Sequence, residues 1–546
     1  MITTGGSPPD PAPRAEGLED VPGSHGASAT SGATDTAVTV GTDGAPEAGA
    51  APDRAPLRAD WVPWLIALAV FAAYTTISLS RYFRLAPGSW DLGIFTEYVR
   101  QLAHLRAPVV NIHGSGFNLL GDHFQPIVGL IAPVFLLFPS AATLLVVQAL
   151  LTAVSVIPVS RAAAARLGTG AGRMIGAAYG FSWGLQQMID FDFHEITFAV
   201  PLLACSLSAL SRGKVRAAAV WALPLVFVKE DQGFTVAAIG ILIVVMSLGR
   251  ARADRPDRAA LRCGALLTVW GLAWSFLAIT VIIPHFNPLH QYPYWTDGGV
   301  LSPGAHPSAP SVLAQLGHSY VPKLRTTLLI LLPVAFLALG SPLTLVAVPS
   351  LALRFVSTNT AYWGAGYHYN ATVMPIVFLG AIDTLARIRV YRARPAGEGE
   401  AGARPRFSSW LDPAATRVVP ALMLGIAVVT AWPFPLSDLW HAQTYQISPH
   451  VRGEDAALAR VPAGTTVEAT LSMLAPLAAR DDTYWIGIAG NPAPRYVVFD
   501  ELDSGWNPPP SDPLTFVEQR HPGVTYREIY ENNYVYVFRR AGQTGP

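Results

Sequence analysis

Four short clusters bring carboxylates, imidazoles and an ammonium to the edges of long apolar runs. Asp91 stands in Ser89-Trp90-Asp91-Leu92-Gly93, and Asp122 and His123 follow Gly121. Asp192, His194 and Glu195 lie in Asp190-Phe191-Asp192-Phe193-His194-Glu195, and Lys229, Glu230 and Asp231 are consecutive. Charge near a bilayer is costly and marks a functional position by default. A carboxylate there can take a proton from a nucleophile, an imidazole can carry one, and an ammonium can hold a phosphate. Two carboxylates and a histidine can also bind a divalent cation or share a proton.

Each cluster has a plainer reading. Leu92, Phe95, Val99 and Leu102 recur at helical spacing, so Asp91–Leu105 reads as an amphipathic helix on the outer surface. Asp91 lies at or near its amino end, where aspartate caps a helix without doing chemistry. The same applies to Asp122 before Pro126. If a helix begins near Asp192, Asp192 and Glu195 share a face at i,i+3. The alternative is a hydrophilic hairpin, although Phe191, Phe193 and Phe198 suit a loop packed into protein. Phe198 also stands where a zinc-protease motif starting at His194-Glu195 needs its second histidine.

Lys229, Glu230 and Asp231 follow the apolar run Trp221–Val228 directly. Each charge costs about 2.5–3.5 kcal/mol at a bilayer centre. The three must lie at the mouth of a bundle, face its interior, or pair with one another as a local ion pair. Tyr367 and His368, in Tyr367-His368-Tyr369-Asn370, are weaker signals, because interfacial aromatics are common.

The elements that hold these residues are membrane helices. The chain has 546 residues, is 51% hydrophobic and only 14% charged, against about 25% charged for a soluble domain. Long unbroken apolar runs favour helices over a barrel. The expected fold is a polytopic α-helical membrane protein of about 11 transmembrane helices, with a small external carboxyl-terminal α/β domain. The runs lie at 61–80, 141–160, 174–190, 196–211, 215–228, 233–249, 263–284, 326–340, 342–357, 371–386 and 417–436, with an interfacial helix at 124–138. Zero net charge gives no reason to expect nucleic acid as a partner, and Cys205 and Cys263 read as core thiols without disulfide or zinc spacing.

Arginine and lysine mark four loops, around 161–173, 212–216, 250–262 and 387–406, as cytoplasmic. Alternation then puts 81–140, 190–195, 229–232, 285–325, 358–370 and everything after about 437 outside, so all four clusters share one face. Residues 1–58 lack large apolar side chains and read as a disordered cytoplasmic tail without a cleavable signal peptide, before a transmembrane domain at 59–436. Within 437–546, strands are expected at 466–470, 484–488, 496–500, 525–530 and 534–539, and helices at 455–460, 473–480 and 514–520.

Taken together, Ser89–Phe95, Gly121–Phe124, Phe191–Glu195, Val228–Asp231 and Tyr367–Asn370 resemble a family of bacterial predicted membrane proteins over roughly 60–540. That family looks like a distant branch of the GT-C glycosyltransferases. The resemblance implies a sugar moved from a polyprenyl-phosphate donor to an envelope acceptor on the outer face of the cell membrane. It places Asp91 where such enzymes carry an essential acid after their first span, as the catalytic base. Asp122 and His123 would orient the reacting groups. Lys229, or a cation such as Mg or Mn on Asp192, His194 and Glu195, would clamp the phosphate, with Glu230, Asp231, Tyr367 and His368 binding substrate. The chain lacks the adjacent acidic pair that many of those enzymes carry after span one. The competing classes are a transporter and an envelope assembly protein or receptor, because intramembrane acids, histidine and lysine also mark ion paths.

Overall fold

The computed structural model describes residues 60–251, 257–295, 316–357, 359–393, 415–503, 506 and 508–542. The expected disordered tail, much of the 285–325 segment and parts of two basic loops lie outside these residues. Each apolar run forms helical structure. The elements that position the clusters are α1 (Val62–Phe83), α2 (Asp91–Ala103), α3 (Ala141–Leu167), α4 (Trp183–Asp190), α5 (Gln232–Ala251), α6 (Arg258–Leu277) and α7 (Val373–Ala393). Among the described residues, five helices are long and apolar enough to cross a membrane, and five shorter apolar helices accompany them.

Local chemistry fixes these helices. The Ser140 side chain caps α3 by accepting from Ala142 N, and Gly168 ends it at φ +102°. Asp257 caps α6 by accepting from Ala259 N and Ala260 N. The α5 and α6 backbones approach closely at Gly240 and Gly264, where a Cβ would meet the facing glycine carbonyl at 2.6 and 2.7 Å. Small residues permit such contact where lipid supplies no hydrophobic drive. The helix His368–Tyr391, which contains most of α7, is largely buried and runs through the middle of the bundle.

The carboxyl-terminal part carries a five-stranded sheet of order β2-β1-β3-β5-β4. The strands are β1 (Thr466–Ala469), β2 (Asp482–Trp485), β3 (Tyr496–Asp500), β4 (Tyr526–Asn532) and β5 (Val535–Arg540). β1 pairs in parallel with β2 and β3, while β5 runs antiparallel between β3 and β4. The helices are α8 (Pro449–Leu458), α9 (Leu471–Ala478) and α10 (Pro513–Arg520). The strand expected at 484–488 ends at Trp485, because a turn closed by Ile488 N donating to Trp485 O takes the chain out of the sheet.

The helix beginning at Asp91 is not half-exposed as its amphipathic spacing suggests. Leu92 through Val99 are all buried, and Glu97 has no exposed surface. α9 covers one side of α2: a Cβ on Gly93 would meet Leu474 Cβ at 3.2 Å. Burial lifts the Glu97 carboxyl to about 8, against the pull of Arg100 and the Ile112 amide. Arg100 bridges from Glu97 to Asp482 of β2 at 3.1 Å, and Trp90 meets Trp485 edge-on at 4.4 Å between ring centres. Trp485 is accordingly half-buried, and Trp506 is half-buried against Phe516.

Candidate functional site

The clusters, far apart in sequence, meet at one end of the bundle. Two connected chains of polar groups organise them.

The first runs Asp122, Tyr294, His123, Glu230. His123 Nδ1 donates to Glu230 Oε1 at 2.8 Å, and Phe124 N donates to Glu230 Oε2 at 3.2 Å. Tyr292 gives its hydroxyl proton to Glu230 Oε1 at 3.1 Å. Tyr294 gives its proton to Asp122 Oδ1 at 3.0 Å and stands 2.7 Å from His123 Nε2. Tyr294 thus links Asp122 to His123, and the imidazole lies between two acids. Burial pushes its pKa down, but Glu230 and Asp122 outweigh that and hold it above the usual value. Asp122 stays low: burial would lift it, and His123 and His113 pull it down further.

The second chain runs Lys229, Glu195, His194, His368. Lys229 Nζ pairs with Glu195 Oε1 at 3.0 Å, and His194 Nδ1 pairs closely with Glu195 Oε2. Glu195 is wholly buried. The His194 ring stacks on His368 with centres 3.5 Å apart. Lys229 and Glu230 are neighbours in sequence, so they join the two chains. Glu195, Glu230 and Asp231 together hold the Lys229 ammonium well above its ordinary value although burial opposes this. The run stands outside a helix because the short 3-10 segment Leu223–Phe227 ends before it and α5 begins only at Gln232. Asp231 accepts from the side chain of its neighbour Gln232 at 3.2 Å.

Asp91 adjoins this constellation through the turn before α2. Asp192 Oδ2 accepts from Gly88 N at 2.7 Å and Ser89 N at 3.1 Å, and Ser89 Oγ donates to Asp91 Oδ2 at 2.7 Å. Asp91 is the first residue of α2 but makes no capping bond; Trp90 holds the cap position. Asp122 does not cap a helix either, since its carboxylate is taken by Tyr294.

Asp192, His194 and Glu195 do not form the cation site that i,i+3 spacing suggests. Asp192 has φ +73°, which breaks the helix before Glu195 and sends the two carboxylates to different partners. Asp192 serves backbone amides, and Lys229 occupies the cationic position beside Glu195. These three residues therefore do not fit a divalent ion. Among the described residues, the cluster with converging metal-ligand atoms is His450, Glu454 and Asp500.

Tyr367 packs edge-on against Phe191 at 4.7 Å, and His368 is buried against His194. Several organising residues lie outside the four sequence clusters. The buried Arg354 donates to the carbonyls of Tyr362, Gly364 and Tyr369 and to Asn370 Oδ1, and so shapes the 359–370 segment. Gln148 Nε2 donates to Asp192 O at 2.6 Å, while its Oε1 accepts from His194 N at 3.0 Å. Both are lone polar residues in apolar runs, and that is the signal that could have flagged them. Tyr292 and Tyr294 give no comparable cue.

Fold and site define a helical membrane protein with a buried, charge-paired constellation at one end of its bundle, beneath an α/β portion. The chain belongs to the family described as "Predicted membrane protein (DUF2079)", which matches residues 81–510. No curated protein matches it. Among solved structures it is similar to ArnT from Cupriavidus metallidurans bound to undecaprenyl phosphate, with TM-score 0.52 and 14% identity, covering 89% of this chain and 100% of that one. The apo state of the same ArnT gives 0.45 and 13%, covering 86% and 97%. The apo oligosaccharyltransferase of Archaeoglobus fulgidus gives 0.35 and 14%, covering 87% and 74%. The first of these defines a shared fold, and the expected GT-C-like resemblance holds at that level.

Proposed function

We propose that this protein is a membrane glycosyltransferase that moves a sugar from a polyprenyl-phosphate donor to an envelope acceptor on the outer face of the cell membrane. The observation that carries the reading is Lys229, an ammonium held by buried acids and paired with Glu195, in the same 192–195 segment whose Asp192 holds the turn that bears Asp91. ArnT, whose fold this chain shares, was captured with undecaprenyl phosphate, which supports a donor of that class. Asp91 takes the proton of the acceptor hydroxyl as its oxygen bonds to the anomeric carbon. The bond from that carbon to the donor phosphate breaks, and the electron pair leaves on the phosphate. Lys229 offsets the developing charge with the ammonium hydrogens that Glu195 does not take. His123 holds Glu230 and so keeps it from drawing Lys229 away. His368 and Tyr367 line the donor side.

In this reading the amino terminus is cytoplasmic, about eleven spans follow, and residues after 437 form an extracytoplasmic acceptor-binding domain over the site. The test is purified protein in nanodiscs with polyprenyl-phosphate-linked sugars, scored for release of polyprenyl phosphate, alongside a proton-flux assay in vesicles. Transfer without flux is expected. Flux without transfer would assign the constellation to an ion path. Single-cysteine labelling in intact cells tests the orientation, with the exposed position 105 reachable from outside and 256 protected.

A further inference from the structure

The carboxyl-terminal sheet carries a second cluster that sugar transfer does not use. β1 lies between β2 and β3, parallel to both. The chain passes from β1 through α9 to β2 on one side, then returns to β3 on the other. Strand order reverses between the carboxyl ends of β1 and β3, where open α/β sheets characteristically bind ligands. Asp500 ends β3, and its amide donates to Thr470 Oγ1 at 3.0 Å, just past β1, tying the two strand ends together. His450 and Glu454, four residues apart on α8, reach the same place. One ligand atom from each of His450, Glu454 and Asp500 lies within 4.8 Å of the others.

Two further features aim this group at a ligand. His450 Nδ1 lies 2.8 Å from the carbonyl of Asn533. A carbonyl only accepts, so Nδ1 carries the hydrogen and Nε2 is turned inward, 3.0 Å from Asp500 Oδ2. Metal-bound histidines are held in this way, one ring N–H on a backbone carbonyl and the other nitrogen on the ion. Separately, Ser472 is 4% exposed, and its hydroxyl lies within the cluster beside the Glu454 carboxylate, its partner there. Glu454 itself is 2% exposed. Asp503 is not a spare ligand atom for atom, since its Oδ2 accepts from Ser472 N at 3.1 Å.

We propose that His450, Glu454 and Asp500 bind one first-row divalent cation, zinc or manganese, at the switch point of this sheet, with the Ser472 hydroxyl beside it. One imidazole nitrogen among carboxylate oxygens suits these ions better than calcium, which prefers oxygen alone. The ion joins α8, the end of β3 and the first turn of α9. α9 is the helix that covers α2, so the cation steadies the seat of the sheet on the element that begins with Asp91.

The test uses full-length protein in detergent, stripped with EDTA, returned to metal-free buffer and titrated with Zn²⁺ or Mn²⁺ alone. One equivalent per chain is expected, with a higher melting temperature on binding. His450→Gln and Glu454→Gln should each weaken binding at least about tenfold. Diethyl pyrocarbonate labelling of His450 in the unaltered chain, read by mass spectrometry, should be suppressed by Zn²⁺. That measurement decides the matter even where a variant does not fold. An unaltered chain that binds neither ion, or labels His450 equally with and without Zn²⁺, would overturn the proposal and leave a simple imidazolium–carboxylate pair.

Discussion

Lys229 Nζ lies 3.0 Å from Glu195 Oε1, and Glu195 has no exposed surface. Each residue sits at the end of an apolar run that could not hold it alone. Together they bind the turn before Glu195 to the turn before α5. An isolated buried charge is far costlier than a paired one, so this contact fixes how the two helical hairpins register at the mouth of the bundle.

Lys229→Met should therefore destabilise strongly, by about 3–5 kcal/mol, because it strips the buried Glu195 of its ammonium and leaves only His194 beside it. Combining it with Glu195→Gln should recover most of the lost melting temperature but not the affinity for a polyprenyl phosphate. Melting curves and lipid-phosphate binding on the single and double variants check this. A double variant that binds the lipid phosphate as the parent does would reduce Lys229 to a structural partner.

Asp192 should behave as a positioning residue. Burial lifts its carboxyl to about 7, against the pull of Arg81 and the amides of Ser89 and Gly88. The native state then holds a proton that the unfolded chain releases near pH 4, so stability falls as pH rises from about 4 to 7. Asp192→Asn keeps an oxygen for both amides and removes the charge. Its melting temperature should exceed the parent's at pH 8, match it near pH 4, and activity should persist. Asp192→Ala loses the oxygen that accepts both amide hydrogen bonds, about 1 kcal/mol per bond, and should lower kcat while leaving KM near the parent value. Loss of activity in the Asn variant would instead make the charge itself essential.

Much of this arrangement is legible in the sequence, and its limits have physical causes. Apolar runs, basic loops and the edge positions of the charges follow from the cost of charge in lipid, and the β3 strand is read at its observed bounds. The i,i+3 pairing of Asp192 with Glu195 fails because one left-handed residue, Asp192 itself, turns the chain. The exposed face assigned to α2 is buried by α9, an element nearly the whole chain away, which no local periodicity reports. Tyr292 and Tyr294 complete the Glu230 and Asp122 environments from a loop whose sequence reads as an unremarkable aromatic segment.

The junction between Trp90 and Trp485 should couple the carboxyl-terminal part to the proposed acceptor side. The rings meet edge-on at 4.4 Å, one residue before Asp91. Such a pair contributes about 0.5–1.5 kcal/mol beyond its buried area. Trp485→Ala should leave the chain folded, raise the acceptor KM several-fold and leave donor binding unchanged. Steady-state kinetics with each substrate varied separately would show this. An unchanged acceptor KM would leave the contact purely structural.

Asp91 gives the most direct test of the proposed chemistry. It makes no capping bond in α2, and among the described residues its side chain accepts from the Ser89 hydroxyl. Asp91→Asn keeps size and an oxygen for that hydroxyl, and removes the proton acceptor and the charge. The structural cost is therefore that of a charge near a helix amino terminus, about 0.3–1 kcal/mol. A general base contributes about 10²–10⁴-fold in rate. The variant should thus express and melt nearly as the parent does, bind the donor lipid normally, and lose at least about a hundredfold in transfer. Because Asp192 holds the same turn through backbone amides alone, the Asp91→Asn and Asp192→Asn variants should diverge: the first inactive, the second active. Equal activity in both would show that the 88–91 turn matters for its shape, and the base would have to be sought among the acids around Lys229.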